Sequence, residues 1–214
     1  MHRVGVMTID RVRQAYSARA GEYIDAVGKI EHAAQHDREY VLAWARGVNG
    51  RIVDVGCGPG QWTNFLQHEG IDIVGIDPVA TFIVDATERY PTARFRVGRA
   101  EDLGVDDGSL GGVLAWFSLI HTIPDAIDDA LAECARCIKP GGSVLIGFFD
   151  GTAREAFDHA VTTAYYWSVD ALTEHIERAG FTVADAQVRV DPGVRPQGVI
   201  VAVRQPATGN QPPR

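Results

Sequence analysis

Among its 214 residues the chain has only three cysteines, Cys57, Cys134 and Cys137. They are too few and too unevenly spaced for a disulfide framework, so a reducing compartment, the cytoplasm, is expected. The Cys134-x-x-Cys137 pair has no second pair and no nearby His or Asp cluster at ligand spacing, so no metal site is expected. No stretch approaches the roughly 18 apolar residues of a membrane span, and residues 1–10 lack the apolar run of a signal peptide. Positive charge is scarce as well: 20 Lys and Arg stand against 28 Asp and Glu, a formal net charge of −8. That balance argues against non-specific binding to nucleic acid or an anionic membrane, both of which rest on clustered basic side chains. There is no internal repeat.

What is present is a globular composition, 46% hydrophobic and 22% charged, in which helical patterns alternate with short Val- and Ile-rich runs. Such alternation predicts βαβ units around a parallel sheet. Two helices are expected over about residues 10–47, with Val12, Ala15, Tyr16, Arg19 and Tyr23 at helical spacing in the first. Strands are expected at 51–55, 71–76, 93–97, 112–117 and 143–149, with helices at about 60–68, 80–90 and 124–137. Lys139-Pro140-Gly141-Gly142 reads as a turn. The segment 151–167 is ambiguous, since helix formers precede the β-leaning run 161–167. Ser168 is a candidate N-cap for a helix ending at Gly180, and strands at 181–190 and 199–204 close the pattern.

The densest signal is an apolar strand, then Gly56-Cys57-Gly58-Pro59-Gly60, then a helix. Glycines permit a tight turn and close backbone approach to a ligand, and the following helix N-terminus offers N–H groups to an anion. Asp77, ending the second strand 21 positions after Gly56, is placed to accept from the vicinal hydroxyls of a ribose. A nicotinamide dinucleotide fingerprint wants its third glycine at position 61, where this chain has Gln61. Here the third glycine is Gly60, and Asp54 stands two residues before the first.

The run Asp54-Val55-Gly56-Cys57-Gly58-Pro59-Gly60 resembles motif I of the class I S-adenosylmethionine-dependent methyltransferases, close to D-x-G-C-G-x-G. Gly98-Arg99-Ala100-Glu101-Asp102-Leu103 is similar to the family's G-D-A-x-x-L segment at the adenine edge, with Arg99 in place of Asp. Residues 106–113 resemble its run into strand four, residues 116–121 the end of that strand in small bacterial members, and Ile138-Lys139-Pro140-Gly141-Gly142 its L-K-P-G-G turn. The resemblance covers about residues 16–204. It implies an α/β, Rossmann-like, doubly wound seven-stranded sheet with the last strand antiparallel and helices on both faces. It also implies one domain over residues 1–204, lidded by the N-terminal helices and about 151–167. Residues 205–214 are expected to be a disordered tail.

The cofactor implied is S-adenosylmethionine, with S-adenosylhomocysteine as its product. The resemblance assigns its binding to Tyr16, Asp54, Gly56, Cys57, Gly58, Gly60, Asp77, Pro78, Ala100, Glu101 and Trp116. The acceptor is expected to be a small molecule, with no nucleic acid and no membrane as partner, and the chain a monomer or homodimer. Methyl transfer from a sulfonium needs in-line approach and desolvation more than acid catalysis. Where the nucleophile must lose a proton, His121 after strand four is the candidate base, with His159 in the lid a second. Trp116 and Phe117 are candidate pocket walls; Tyr165, Tyr166 and Trp167 either cover the acceptor or anchor the lid. Two rival readings stand beside this one, a nicotinamide-dependent oxidoreductase and a cofactor-binding regulatory protein without turnover.

Overall fold

A computed structural model describes residue 11 and residues 13–206. Val12, most of the expected tail and the first ten residues lie outside the described residues. Residues 13–18 are helical, and a turn at Arg19 separates them from α1 (Ala20–Val27). Then come α2 (Gln35–Gly47), β1 (Ile52–Val55), α3 (Gln61–His68), β2 (Ile73–Asp77), α4 (Ala80–Arg89), β3 (Phe95–Val97) and β4 (Leu110–Trp116). After β4 follow α5 (Ile127–Cys137), β5 (Ile138–Phe149), β6 (Ala156–Asp158), β7 (Thr163–Tyr165), α6 (Val169–Arg178), β8 (Phe181–Arg189) and β9 (Gln197–Arg204). Seven strands form one sheet in the order β3-β2-β1-β4-β5-β9-β8. β9 runs antiparallel to both its neighbours and the other adjacent pairs are parallel. The fold is the doubly wound, Rossmann-like sheet expected.

Strand alternation decides which helix each residue meets. On β1, Ile52 packs with Val41 and Ala45 of α2 and with Trp62 and Leu66 of α3. Val53 and Val55 point the other way, into a larger core with Ile127 and Leu131 of α5 and Leu172 and Ile176 of α6. Both faces of the central strands are therefore covered, which is why β1 and β4 read as nearly unbroken apolar runs. Each such Ile or Leu contributes about 1.5–3 kcal/mol on burial.

Three local expectations change. The stretch Lys139-Pro140-Gly141-Gly142 lies inside β5: Leu110 pairs with Ile138 and Gly112 with Ser143, so these residues bulge out of a continuous strand. Gly141 takes φ +78° there, a conformation open to glycine at little cost. The N-terminal region is three helical pieces plus a 3-10 turn at Ile30–His32 instead of two helices. The ambiguous segment is a hairpin of β6 and β7, so its β-branched and aromatic residues prevailed over the helix formers before them. Ser168 caps α6 as expected, its hydroxyl accepting the Ala171 N–H at 3.3 Å.

The strand order reverses between β1 and β4. From β1 the chain steps outward through β2 and β3, then returns to lay β4 on the other side of β1. Such a switch point leaves a crevice beyond the carboxyl ends of the two strands, where ligands bind in open α/β sheets.

Candidate active site

A cavity of about 1190 Å³ opens at that switch point. The loop after β1, the ends of β2 and β4, the segment 98–101 and the N-terminal helices line it. Gly56, Gly58 and Gly60 have φ of +68°, +53° and +83°. The three are needed for different reasons. A Cβ on Gly56 would fall 2.4 Å from Ser118 Cβ, and one on Gly60 would fall 2.6 Å from the Phe95 ring. A Cβ on Gly58 would come no nearer than 3.8 Å to Tyr23, in space that belongs to the cavity. Gly56 and Gly60 thus serve the fold, and Gly58 keeps room for whatever the loop holds. Cys57 borders the cavity but is buried, with its sulfur against Gly75 beneath the loop.

Asp77 closes β2. Its Oδ2 accepts the Gly58 N–H at 2.9 Å and its Oδ1 accepts the Val79 N–H at 2.8 Å. One lone pair on each oxygen remains for two further donors, and a vicinal diol presents two. Burial raises the Asp77 carboxyl to about 6, against the lowering effect of the Val79 and Gly58 amides. Asp54 alternates with Val53 and Val55 on β1 and so faces α3, where Thr63 Oγ1 donates to its Oδ2 at 2.6 Å. Burial raises this carboxyl to about 7, against the Thr63 hydrogen bond, and the nearby Asp77 charge adds to the rise.

The sign of the Asp54 effect is testable. A carboxyl titrating near 7 when folded and near 3.8 otherwise stabilises the fold fully at low pH, and that contribution is lost as pH rises through 7. Asp54→Asn removes the buried charge and keeps an acceptor for Thr63. At pH 8, without ligand, its unfolding free energy should exceed wild type by about 2–4 kcal/mol, with each pH unit between the two pKa values worth about 1.36 kcal/mol. Urea melts at pH 8 and pH 5 test this. The gain should shrink at pH 5, and an equal gain at both values would show that the charge is not its source.

On the β4 side, Trp116 packs at 5.4 Å from both Trp62 and Phe117, and both side chains line the cavity. Phe117 leaves the strand with φ +53°, a costly conformation for a residue with a Cβ, and its ring packs 5.0 Å from Phe149. His121 ends the 3-10 turn Leu119–His121. Its Nδ1 lies 2.8 Å from the carbonyl of Thr163, an acceptor, so Nδ1 carries the proton and Nε2 is left as an acceptor. Nε2 is 2.7 Å from the hydroxyl of Tyr16, which must then donate. Burial lowers His121 to about 4, against the bond to Thr163 and with His159 adding to the fall. Its ring is therefore neutral across the physiological range. The ordinary histidine value of about 6.5 does not apply here.

Tyr16, Asp54, Gly56, Cys57, Gly58, Asp77, Pro78, Ala100, Glu101, Trp116 and His121 all line the cavity. Gly60 does not, and acts through the turn. Several residues of the wall escaped the reading of the sequence, Tyr23, Gln61 and Ser118 among them. Tyr23 lies seven positions after Tyr16 on the same stripe and packs edge-on to it at 5.0 Å; the periodicity held that signal. Gln61 and Ser118 gave none as polar residues of the site, yet Gln61 Oε1 and Ser118 Oγ are buried without a partner. Unpaired buried acceptors and donors of this kind fit a ligand with a polar head beside its nucleoside. Arg99 is exposed at the rim.

The aromatic run before α6 takes the anchoring role. Tyr166 stacks on Phe157 at 4.2 Å, Trp167 is fully buried in the main core, and neither they nor Tyr165 line the cavity. His159 sits behind His121, ring centroids 5.2 Å apart, and outside the cavity wall. Cys134 and Cys137 are buried, with burial pushing both thiols up to about 12.

With that geometry, residues 52–142 match a family described as a methyltransferase domain. Over that span the chain is similar to methyltransferase domains. An uncharacterized methyltransferase of Mycobacterium tuberculosis is 34% identical over 121 residues, 55% of this chain and 47% of that protein. A ubiquinone biosynthesis O-methyltransferase of Xanthomonas axonopodis is 28% identical over 158 residues, 71% of this chain and 65% of that protein. The chain thus spans about half the length of the first of these curated relatives and under two thirds of the second. Among solved structures, the Burkholderia thailandensis 1,6-didemethyltoxoflavin-N1-methyltransferase, with its acceptor and S-adenosylhomocysteine bound, superposes with a TM-score of 0.78. It is 19% identical, and the match covers 96% of this chain and 92% of the other. The [4+2]-cyclase SpnF superposes at 0.77 with 19% identity, covering 91% of this chain and 96% of its own. At such identities the likeness is one of fold, and the cyclase is a reminder that the fold alone does not fix the reaction.

Proposed function

We propose that the chain transfers a methyl group from S-adenosylmethionine to a small-molecule acceptor. The observation that carries this reading is Asp77. It is buried and held by the Gly58 and Val79 amides, and it borders the cavity with acceptor capacity for a ribose diol. The methionine end of the cofactor would meet the unpaired Gln61 and Ser118 side chains, and the segment of Ala100 and Glu101 would edge the adenine. The cofactor supplies a methyl group on a good leaving group. The protein supplies approach and dryness: aromatic walls from Trp116, Phe117, Tyr16 and Tyr23 exclude water and fix the acceptor's face.

His121 is the base in this reading. Neutral at working pH, with the lone pair of Nε2 toward Tyr16 at the cavity wall, it takes a proton when the acceptor must lose one. An attacking hydroxyl becomes strongly acidic as its new bond forms, so even a weak imidazole base suffices. The N-terminal helices and the β6–β7 hairpin form the lid. Arg19 donates to the carbonyl of Ala160, and Val161 packs on the cluster of Tyr16, Ala20, Val79 and Phe82. The names of two similar proteins, an O-methyltransferase of ubiquinone biosynthesis and an N1-methyltransferase of 1,6-didemethyltoxoflavin, support a small molecule over a macromolecule. No helix among the described residues is long and apolar enough to cross a membrane, and three unbridged, buried thiols accord with a cytoplasmic setting.

Calorimetry tests the reading. S-adenosylhomocysteine should bind the wild-type chain and NADH should not. Gly58→Val should lose the binding while its far-UV spectrum stays near wild type, because the added side chain enters the cavity and not the core. NADH binding in preference would return the dinucleotide reading. Unchanged affinity in Gly58→Val would move the cofactor elsewhere.

A further inference from the structure

Tyr16 and His121 both line the cavity, with the Tyr16 hydroxyl against the His121 ring. The hydroxyl proton is committed to Nε2 at 2.7 Å; the Tyr23 hydroxyl is a second hydrogen-bond partner, and the oxygen keeps a lone pair that can accept from a donor in the cavity. The ring is fixed from three sides: edge-on contacts to Tyr23 at 5.0 Å, Phe82 at 5.8 Å and His121 at 5.4 Å leave little freedom to swing away. His121 is fixed in turn by the Thr163 carbonyl. Trp116, Phe117 and Leu119 line the same cavity with flat or apolar side chains, and Ser118 and Thr122 stand between and beside them.

We propose that Tyr16 is a catalytic proton-relay residue whose phenol contacts the acceptor, and that the acceptor is a planar aromatic molecule bearing an O–H or N–H group. The inference rests on the methyltransferase reading above. The acceptor's heteroatom donates its hydrogen bond to Tyr16 Oη. As the bond from heteroatom to methyl carbon forms, the carbon–sulfur bond breaks and its electron pair stays on sulfur. The acceptor's proton passes to Tyr16 Oη while Tyr16's own proton passes to His121 Nε2. The phenol is neutral before and after. The imidazolium keeps its Nδ1–H on Thr163 and returns its extra proton to water.

Two further facts support this order. Burial raises the Tyr16 hydroxyl above its ordinary value of 10, with the Tyr23 and Asp77 charges adding to the rise, so a lasting phenolate is excluded and only a relay is open to it. Burial also holds His121 low, so the imidazolium formed gives up its proton readily and the site resets.

The probes are 2-naphthol and its methyl ether, titrated calorimetrically into the chain saturated with S-adenosylhomocysteine. Naphthol should bind about tenfold more tightly than the ether, the worth of one added hydrogen bond. Tyr16→Phe, which keeps the ring and its packing, should bring the two affinities together when both are titrated into protein saturated with S-adenosylhomocysteine. His121→Gln, which keeps an acceptor for the Tyr16 proton, should preserve the preference for naphthol. A merely structural Tyr16 would not alter the ratio of the two probes. Failure of naphthol to bind the saturated protein, or a preference that survives Tyr16→Phe, overturns the relay. Failure of S-adenosylhomocysteine to bind wild type overturns the underlying reading instead, so the two results are distinct.

Discussion

Replacing Asp77 with alanine is expected to weaken S-adenosylhomocysteine binding by about 1.5–3 kcal/mol, the worth of hydrogen bonds to a charged group. Two costs combine in that number. The ribose hydroxyls lose their acceptor, and the Gly58 and Val79 amides lose theirs, so the glycine loop itself is less well held. Asp77→Asn separates them. Its one carbonyl oxygen can keep a single amide bond, so its affinity should fall between alanine and wild type. Titration at pH 7.5 suits the measurement, since Asp77 titrates near 6 and is ionised there. Below pH 6 the wild-type advantage should narrow as the carboxylate gains its proton. A folded alanine variant with wild-type affinity would remove Asp77 from the site.

The second large effect falls on turnover. His121→Ala should lower it roughly 100-fold or more, while S-adenosylhomocysteine affinity stays within a few-fold of wild type. If His121 were only a wall or a cap, stability, binding and turnover would fall together. The pH dependence separates the roles further. A base titrating near 4 leaves the rate flat down to about pH 5, with the acid limb near 4. A limb near the ordinary 6.5 would mean that the residue responsible is not His121 as it sits here. Folding stability follows the same residue with a known sign: a depressed imidazole costs the fold as pH falls from about 6.5 toward 4. Near-wild-type turnover in the variant, with the same pH profile, would leave approach and desolvation as the whole account.

The parts of this fold that were legible in the sequence are those in which neighbours along the chain are also neighbours in space. The β1–α3–β2 unit needs its glycines at fixed offsets and its acid at the end of the next strand, so its function is written in 26 consecutive positions, 52–77. The sheet was legible for a related reason: strands buried on both faces must be apolar throughout. The misread parts have long-range causes. Lys139-Pro140-Gly141-Gly142 looks like a turn and behaves as one locally, but pairing with β4 on both sides keeps it within a strand. The β6–β7 hairpin has few turn residues to announce it. Its form is fixed by pairing and by contact with the N-terminal region, more than a hundred positions away. Tyr16 and His121 were each picked out, for separate reasons. Their hydrogen bond was invisible, because nothing in a sequence records that residues 105 positions apart point at one another.

The same separations set an order of assembly. The Gly58–Asp77 bond closes a loop of 19 positions, whereas the Tyr16–His121 bond closes 105 and the His121–Thr163 bond 42. Closure entropy grows as about three-halves RT times the logarithm of loop length, so the longest link costs about 1.5 kcal/mol more than the shortest before any contact repays it. During folding the cradle can therefore exist before its cover, and during unfolding the cover should be the first to let go. Partly folded chains would then already be able to recruit the nucleoside while still unable to shield the reaction from water.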